Sequence, residues 1–147
     1  MCGISAIISK NHENIMPLLF ESIKQLQNRG YDSIGFSYRD VIGDVFIHKK
    51  AMTENENCND FLNSHTNKIS SMAMAHTRWA THGSVTDTNS HPHISFDNRV
   101  SIVHNGIIEN YKDLKKMLVS KLSIKFNTET DSEIIANVIA YRLSIDN

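Results

Sequence analysis

An α+β or layered α/β domain is predicted by three features of this 147-residue chain. Short apolar runs of strand length are interleaved with stretches whose apolar residues recur at helical spacing. Polar and glycine-containing turns separate them, and no repeat, low-complexity tract or linker divides the chain. One domain spanning residues 1–147 is therefore expected, with the layer order left open by pattern alone.

The elements follow in order. A strand begins at Cys2 and continues through Gly3, Ile4, Ser5, Ala6, Ile7 and Ile8, and a polar turn occupies 10–14. Ile15, Leu18, Leu19, Ile23 and Leu26 then recur at helical spacing, with Pro17 near the helix start, where a missing N–H is tolerated. Gly30, after Asn28 and Arg29, reads as the helix stop. Segments 33–38 and 45–49 read as paired strands around a turn at 40–44. A weaker, polar helix is expected at 57–64, and buried strands at 72–77 and 100–104. Tyr111, Leu114, Met117, Leu118 and Leu122 mark a second amphipathic helix. Thr130-Asp131-Ser132-Glu133 has the capping-box pattern, and Ile134, Ile135, Val138, Ile139 and Leu143 form the apolar face behind it.

Composition narrows the class. With 40% hydrophobic and 21% charged residues the chain reads as an ordinary globular protein, and its net charge of −1 gives no support for a nucleic-acid or acidic-membrane surface. No apolar run approaches the ~20 residues that span a bilayer, and no secretory leader pattern is present, so a cytoplasmic location is expected. Two cysteines, Cys2 and Cys58, cannot make a disulfide framework. Cys58, in a polar stretch, reads as incidental.

Cys2 is the most telling residue. Methionine is commonly trimmed before a small residue, which would leave one residue carrying both a thiol and a free α-amine. The thiol is the best nucleophile among ordinary side chains, and an α-amine of pKa ~7.7–8.0 is roughly 10–20% neutral at pH 7 and able to act as base. Two loops supply partners. In the first, at 75–83, Arg78 offers a donor fork that matches a carboxylate, Thr81 adds a hydroxyl, and Trp79 suits a lid. In the second, Asn105-Gly106 follows an apolar strand. It is first a tight-turn signal, but a helix rather than a partner strand comes next. The functional alternative is an oxyanion hole made by the Asn105 amide and the Gly106 N–H. Asp131 reads either as a helix cap or as a carboxylate for a substrate ammonium. A nucleophile, an oxyanion hole, an arginine for a carboxylate and an aspartate for an ammonium describe an amino-acid site with a side-chain carbonyl under attack. Glutamine fits it.

These residues, with Met1-Cys2-Gly3-Ile4, Arg29-Gly30-Tyr31-Asp32-Ser33, Asn89-Ser90-His91-Pro92-His93, Val103 through Asn110 and Thr128-Glu129-Thr130-Asp131-Ser132-Glu133, run in order over nearly the whole chain. In them the chain resembles the glutaminase domain of the class II glutamine amidotransferases, in the branch that makes glucosamine 6-phosphate. The resemblance implies an N-terminal-nucleophile hydrolase fold, a four-layer α/β/β/α sandwich with two antiparallel sheets. It implies that Cys2 attacks the glutamine side-chain amide, that Asn105 and Gly106 stabilise the oxyanion, and that ammonia leaves before a γ-glutamyl thioester is hydrolysed. It places Arg78 and Thr81 on the α-carboxylate, Asp131 on the α-ammonium, Trp79 and His82 in a loop over the substrate, and Arg29 and His91 in supporting positions. No cofactor and no metal are implied. The partners implied are glutamine, sugar-phosphate isomerase domains or a subunit that takes the ammonia on to fructose 6-phosphate, and a second copy in a homodimer.

Ile34 departs from the family pattern, where alanine is usual. The sugar-isomerase domains are absent from this chain, which reads as an excised domain or, alternatively, a stand-alone glutaminase serving another acceptor. A catalytically silent binding or assembly module with Met1 retained is the non-enzymatic alternative. His91 and His93, at alternate positions of a segment expected to be extended, are predicted to point apart, and no Cys or carboxylate cluster completes a zinc site with His76, His82 or His104.

Overall fold

A computed structural model describes residues 2–54, 56–79 and 84–146. The elements are β1 (Gly3–Ile8), α1 (Met16–Lys24), β2 (Ser33–Arg39), β3 (Val45–Ala51), α2 (Cys58–Asn63), β4 (Met72–Arg78), β5 (His93–Ile94), β6 (Ser101–Ile102), α3 (Tyr111–Leu122) and α4 (Ser132–Ile145). Strands β1, β4, β2 and β3 form one antiparallel sheet in that order, and β5 pairs with β6 in a second. Helices α1 and α2 cover the outer face of the larger sheet; α4, packed on α3, covers the smaller one. The result is an α/β/β/α sandwich. No helix among the described residues is long and apolar enough to cross a membrane.

The main core lies between the larger sheet and α1/α2. Alternation along β2 sends Ile34, Phe36 and Tyr38 toward the helices, where Met16, Leu19, Phe20 and Ile23 of α1 and Leu62 of α2 are buried. Phe36 meets the edge of Phe20 at 5.0 Å between centroids. Ile34, the departure from the family pattern, is fully buried in this cluster. Cys58, despite its polar neighbours in sequence, joins the core too: burial raises its thiol pKa, which keeps it a packing group rather than a nucleophile.

The opposite face of the larger sheet is polar. Ser37 on β2 meets Ser101 on β6 at 2.9 Å, and a Cβ on Gly35 would run into the carbonyl oxygen of His91. Glycine is what lets the two sheets approach so closely there.

Several local expectations change. The first helix ends at Lys24 and gives way to a separate turn of 3-10 helix at Gln27–Arg29. Gly30 does not stop a helix in the left-handed conformation. Its φ of −179° is extended, and a Cβ there would lie 2.6 Å from the backbone carbon of Arg78. It is a close-approach glycine. Of the strand expected at 100–104 only Ser101–Ile102 pairs, with a partner at His93–Ile94 that the loop-like His-Pro-His sequence concealed. The chain bends at Ser90 and His91, and the imidazoles of His91 and His93 do not point apart. Their ring centroids lie 4.5 Å apart, edge to face. Among the described residues no group of three or more His, Cys, Asp or Glu side chains is placed to hold a metal.

Candidate active site

Antiparallel pairing of β1 with β4 sets the position of Cys2. Gly3 lies opposite Thr77, donates its N–H to Thr77 Oγ1 at 3.2 Å, and has no room for a side chain because Leu26 Cβ and Thr77 Oγ1 crowd it. Cys2, one residue before, therefore meets Trp79, one residue beyond β4. The Trp79 N–H donates to Cys2 Sγ at 3.2 Å, and the thiol faces the Trp79 carbonyl at 3.7 Å. The indole is 42% exposed and packs against the edge of Tyr31 at 5.3 Å.

Asn105 arrives from 103 residues away. Its Nδ2 donates to the Cys2 carbonyl at 3.1 Å, and its Oδ1 lies 2.8 Å from His76 Nε2. An amide oxygen cannot donate, so His76 donates from Nε2. Burial pushes the His76 imidazole down to about 4, with Arg78 and His104 nearby adding to the effect against the opposing Asn105 bond. It is neutral at physiological pH. Gly106 follows, and a Cβ there would lie 2.6 Å from His104 Nε2, so glycine lets the turn close over that ring.

Arg78 ends β4 with its side chain buried, and its Nη1 donates to the Ser84 carbonyl at 3.3 Å. Asn89 Nδ2 reaches the same carbonyl at 3.3 Å and Glu129 at 3.1 Å, while the Glu129 N–H donates back to Asn89 Oδ1. This network joins the segment after the 75–83 loop to the start of α4. The capping box predicted at 130–133 does not form. Glu133 is buried and its carboxylate accepts the N–H groups of Asn127 and Thr128 and the Thr128 hydroxyl. Asp131 occupies the N-cap position without a side-chain cap bond. Its carboxylate instead accepts the Ile108 N–H at 2.6 Å and the Ser132 hydroxyl at 3.3 Å.

Cys2, Trp79 and Asn105 thus meet directly, and Asp131 is tied to the loop that carries Asn105. Arg29 is exposed on the 3-10 turn that packs against β4. His91 is buried and stacks on His76 at 4.3 Å. Thr81 and His82 lie outside the described residues. Sequence reasoning assigned no site role to His76, Thr77, Asn89 or Glu129. The period-two pattern of β4, which puts His76 and Arg78 on one face and Thr77 on the other, was the signal available. Two cavities of about 560 and 800 Å³ open elsewhere, the first lined by Lys49, His93 and Glu133 and the second by Tyr38, Phe46 and Arg99. Neither is lined by Cys2 or Asn105. The site is recognised by its chemistry, not by cavity size.

The fold, two antiparallel sheets between helices, is shared with solved amidotransferases. A solved glutamine phosphoribosylpyrophosphate amidotransferase from B. subtilis superimposes with a TM-score of 0.69 at 23% identity, covering 95% of this chain and 29% of that one. A second solved structure, described as the allosteric regulatory enzyme of purine biosynthesis, has a TM-score of 0.67 at 25% identity, covering 92% of this chain and 28% of that one. The family model for the glutamine amidotransferase domain matches residues 48–142, and the chain belongs to that family. It is 38% identical over 146 residues to a probable glutamine–fructose-6-phosphate aminotransferase (isomerizing) of Acanthamoeba polyphaga mimivirus, covering 98% of this chain and 24% of the relative. It is 42% identical over 139 residues to the glutamine–fructose-6-phosphate aminotransferase (isomerizing) of Gluconobacter oxydans, covering 95% and 22%. The chain thus spans about a quarter of the length of the curated relatives it matches.

Proposed function

We propose that this domain hydrolyses the side-chain amide of glutamine. The observation that carries the reading is the meeting of Cys2 with Trp79 and Asn105, which come from three separate segments. With Met1 removed, the Cys2 α-amine takes the thiol proton, directly or through water, as sulfur bonds to the amide carbon. The carbonyl oxygen gains charge, and the Asn105 Nδ2–H and the Gly106 N–H are the donors to stabilise it. As the C–N bond breaks, the nitrogen takes a proton and leaves as ammonia, and water then cleaves the thioester to give glutamate and the free thiol. Arg78 with Thr81 would hold the α-carboxylate and Asp131 the α-ammonium, with Trp79 and His82 over the substrate and Arg29 and His91 in support.

The relatives carry the name glutamine–fructose-6-phosphate aminotransferase. On that basis the ammonia is passed to fructose 6-phosphate by sugar-phosphate isomerase domains or a subunit lying beyond residues 1–147, in the cytoplasm and in an assembly that can be a homodimer. Intact mass, glutamate release and labelling by an electrophilic glutamine analogue test the reading together. Loss of one methionine, turnover of glutamine and a single adduct on Cys2, all abolished in Cys2→Ala, are expected. Processed protein that neither turns over glutamine nor takes the label sinks it.

A further inference from the structure

An amide that is to donate toward a reacting thiol has two faces, and only one of them carries hydrogens. We infer that His76 is the positioning residue that decides which face of the Asn105 amide is turned toward Cys2, by donating Nε2–H to Asn105 Oδ1. The inference rests on the proposed role of Asn105 and extends it to a residue that touches neither sulfur nor substrate.

Chemistry at both ends of the amide selects one orientation. The Cys2 carbonyl, 3.1 Å from one end, can only accept and so requires Nδ2 there. His76 Nε2, 2.8 Å from the other end, must then donate to Oδ1. This assigns His76 the neutral tautomer with its proton on Nε2 and a lone pair on Nδ1. Among the described residues Nδ1 is buried and has no hydrogen-bond partner, which is less costly for a lone pair than for a stranded N–H. Burial also disfavours the imidazolium. The ring is held in plane by His91, stacked at 4.3 Å and 22°. His91 in turn is held by the close sheet approach that Gly35 allows. A flipped amide would set Oδ1 against the Cys2 carbonyl and aim a lone pair where negative charge develops, so its orientation bears on the rate rather than on binding.

The test uses His76→Phe, which keeps a ring to stack on His91 but has no donor, and His76→Gln, whose amide N–H can replace Nε2–H. Because one oxyanion donor is typically worth ~10²–10³ in rate, His76→Phe should lower kcat for glutamine hydrolysis about 10- to 100-fold with KM within about threefold. His76→Gln should recover kcat to within about fivefold of the parent. Adding His76→Phe to Asn105→Ala should cost nothing further, because the imidazole acts through the amide. A fall in kcat shared by both His76 variants, a change confined to KM, or losses that multiply in the double variant overturns the inference. So does full activity in His76→Phe where Asn105→Ala is crippled, which leaves the Asn105 reading standing. Full activity in Asn105→Ala removes both. Nitrogen-15 NMR of histidine-labelled parent protein reads the tautomer without relying on a variant's stability: a protonated Nε2 and bare Nδ1 on His76 at pH 7 are expected, and the opposite tautomer or an imidazolium overturns the inference.

Discussion

The Asp131 carboxylate accepts the Ile108 backbone N–H at 2.6 Å, so the first residue before α4 anchors the loop bearing Asn105 and Gly106. One residue thereby carries two duties, loop anchor and proposed ammonium partner, and two substitutions separate them. Asp131→Asn keeps an acceptor for Ile108 and removes the charge. A hydrogen bond to a charged group is worth ~1.5–3 kcal/mol, so KM for glutamine should rise about 10- to 100-fold while kcat changes little. Asp131→Ala loses the anchor as well and should lower kcat in addition. Steady-state kinetics of both variants check this; an unchanged KM in Asp131→Asn would remove the carboxylate from substrate binding.

Arg78 is buried at the end of β4 with one guanidinium nitrogen on the Ser84 carbonyl. A planar fork can keep such a bond and still present donors to a carboxylate, whereas a lysine ammonium is a single point. Arg78→Lys should therefore raise KM at least about tenfold, a loss of ~1.4 kcal/mol or more in binding. Glutamine titration by initial rates decides it, and a KM equal to that of the parent excludes the proposed carboxylate contact.

Gly35→Ala should destabilise the fold through the space between the sheets. The new Cβ would meet the His91 carbonyl and sit 2.7 Å from Lys49 Cβ and 3.1 Å from the His48 carbonyl, atoms of the backbone or close to it. Overpacking of this kind costs about 1–3 kcal/mol, and the rigidity of these neighbours favours the upper end. Urea unfolding gives the number directly. A midpoint matching the parent would mean that the sheets separate freely, contrary to the closeness described above.

Buried imidazoles predict acid sensitivity. Burial is the main cause that lowers His48 and His76 from 6.5 to about 4 and His93 to about 3, and it lowers His91 further still. Between pH 6.5 and those values the unfolded chain binds protons that the folded chain refuses, so stability is lost as pH falls through this window. Each of the buried histidines, His76, His91 and His93, contributes a slope of up to ~1.4 kcal/mol per pH unit, and the partly exposed His48 contributes less. Urea midpoints at pH 7, 6 and 5 should drop with increasing steepness. A flat profile down to pH 5 would show that these rings accept protons while folded.

Much of the fold is legible one element at a time. The 33–38 and 45–49 strands are read nearly in full because Asp40 and Gly43 make the turn recognisable, and there Asp40 Oδ1 accepts the N–H groups of Ile42, Gly43 and Asp44. Helix α3 matches its apolar spacing from Tyr111 to Leu122. The capping box misleads because its glutamate has a stronger use: Glu133 satisfies two backbone N–H groups in the 127–128 turn, a nonlocal demand that a four-residue pattern does not express. Gly30 misleads for a similar reason, since its neighbour is Arg78 on strand β4 and not its own helix.

From the sequence alone came the element types, a cysteine at the second position and two loops of donors suited to an amino acid. Periodicity, turn chemistry and side-chain functional groups act within a few residues of chain, so they can be read without a fold. Tertiary structure alone decided that Cys2 meets Trp79, that His76 grips one end of Asn105, and that Asp131 anchors Ile108. Those contacts depend on strand register and on how closely two sheets pack, and both are settled by residues such as Gly3 and Gly35 that carry no chemistry of their own.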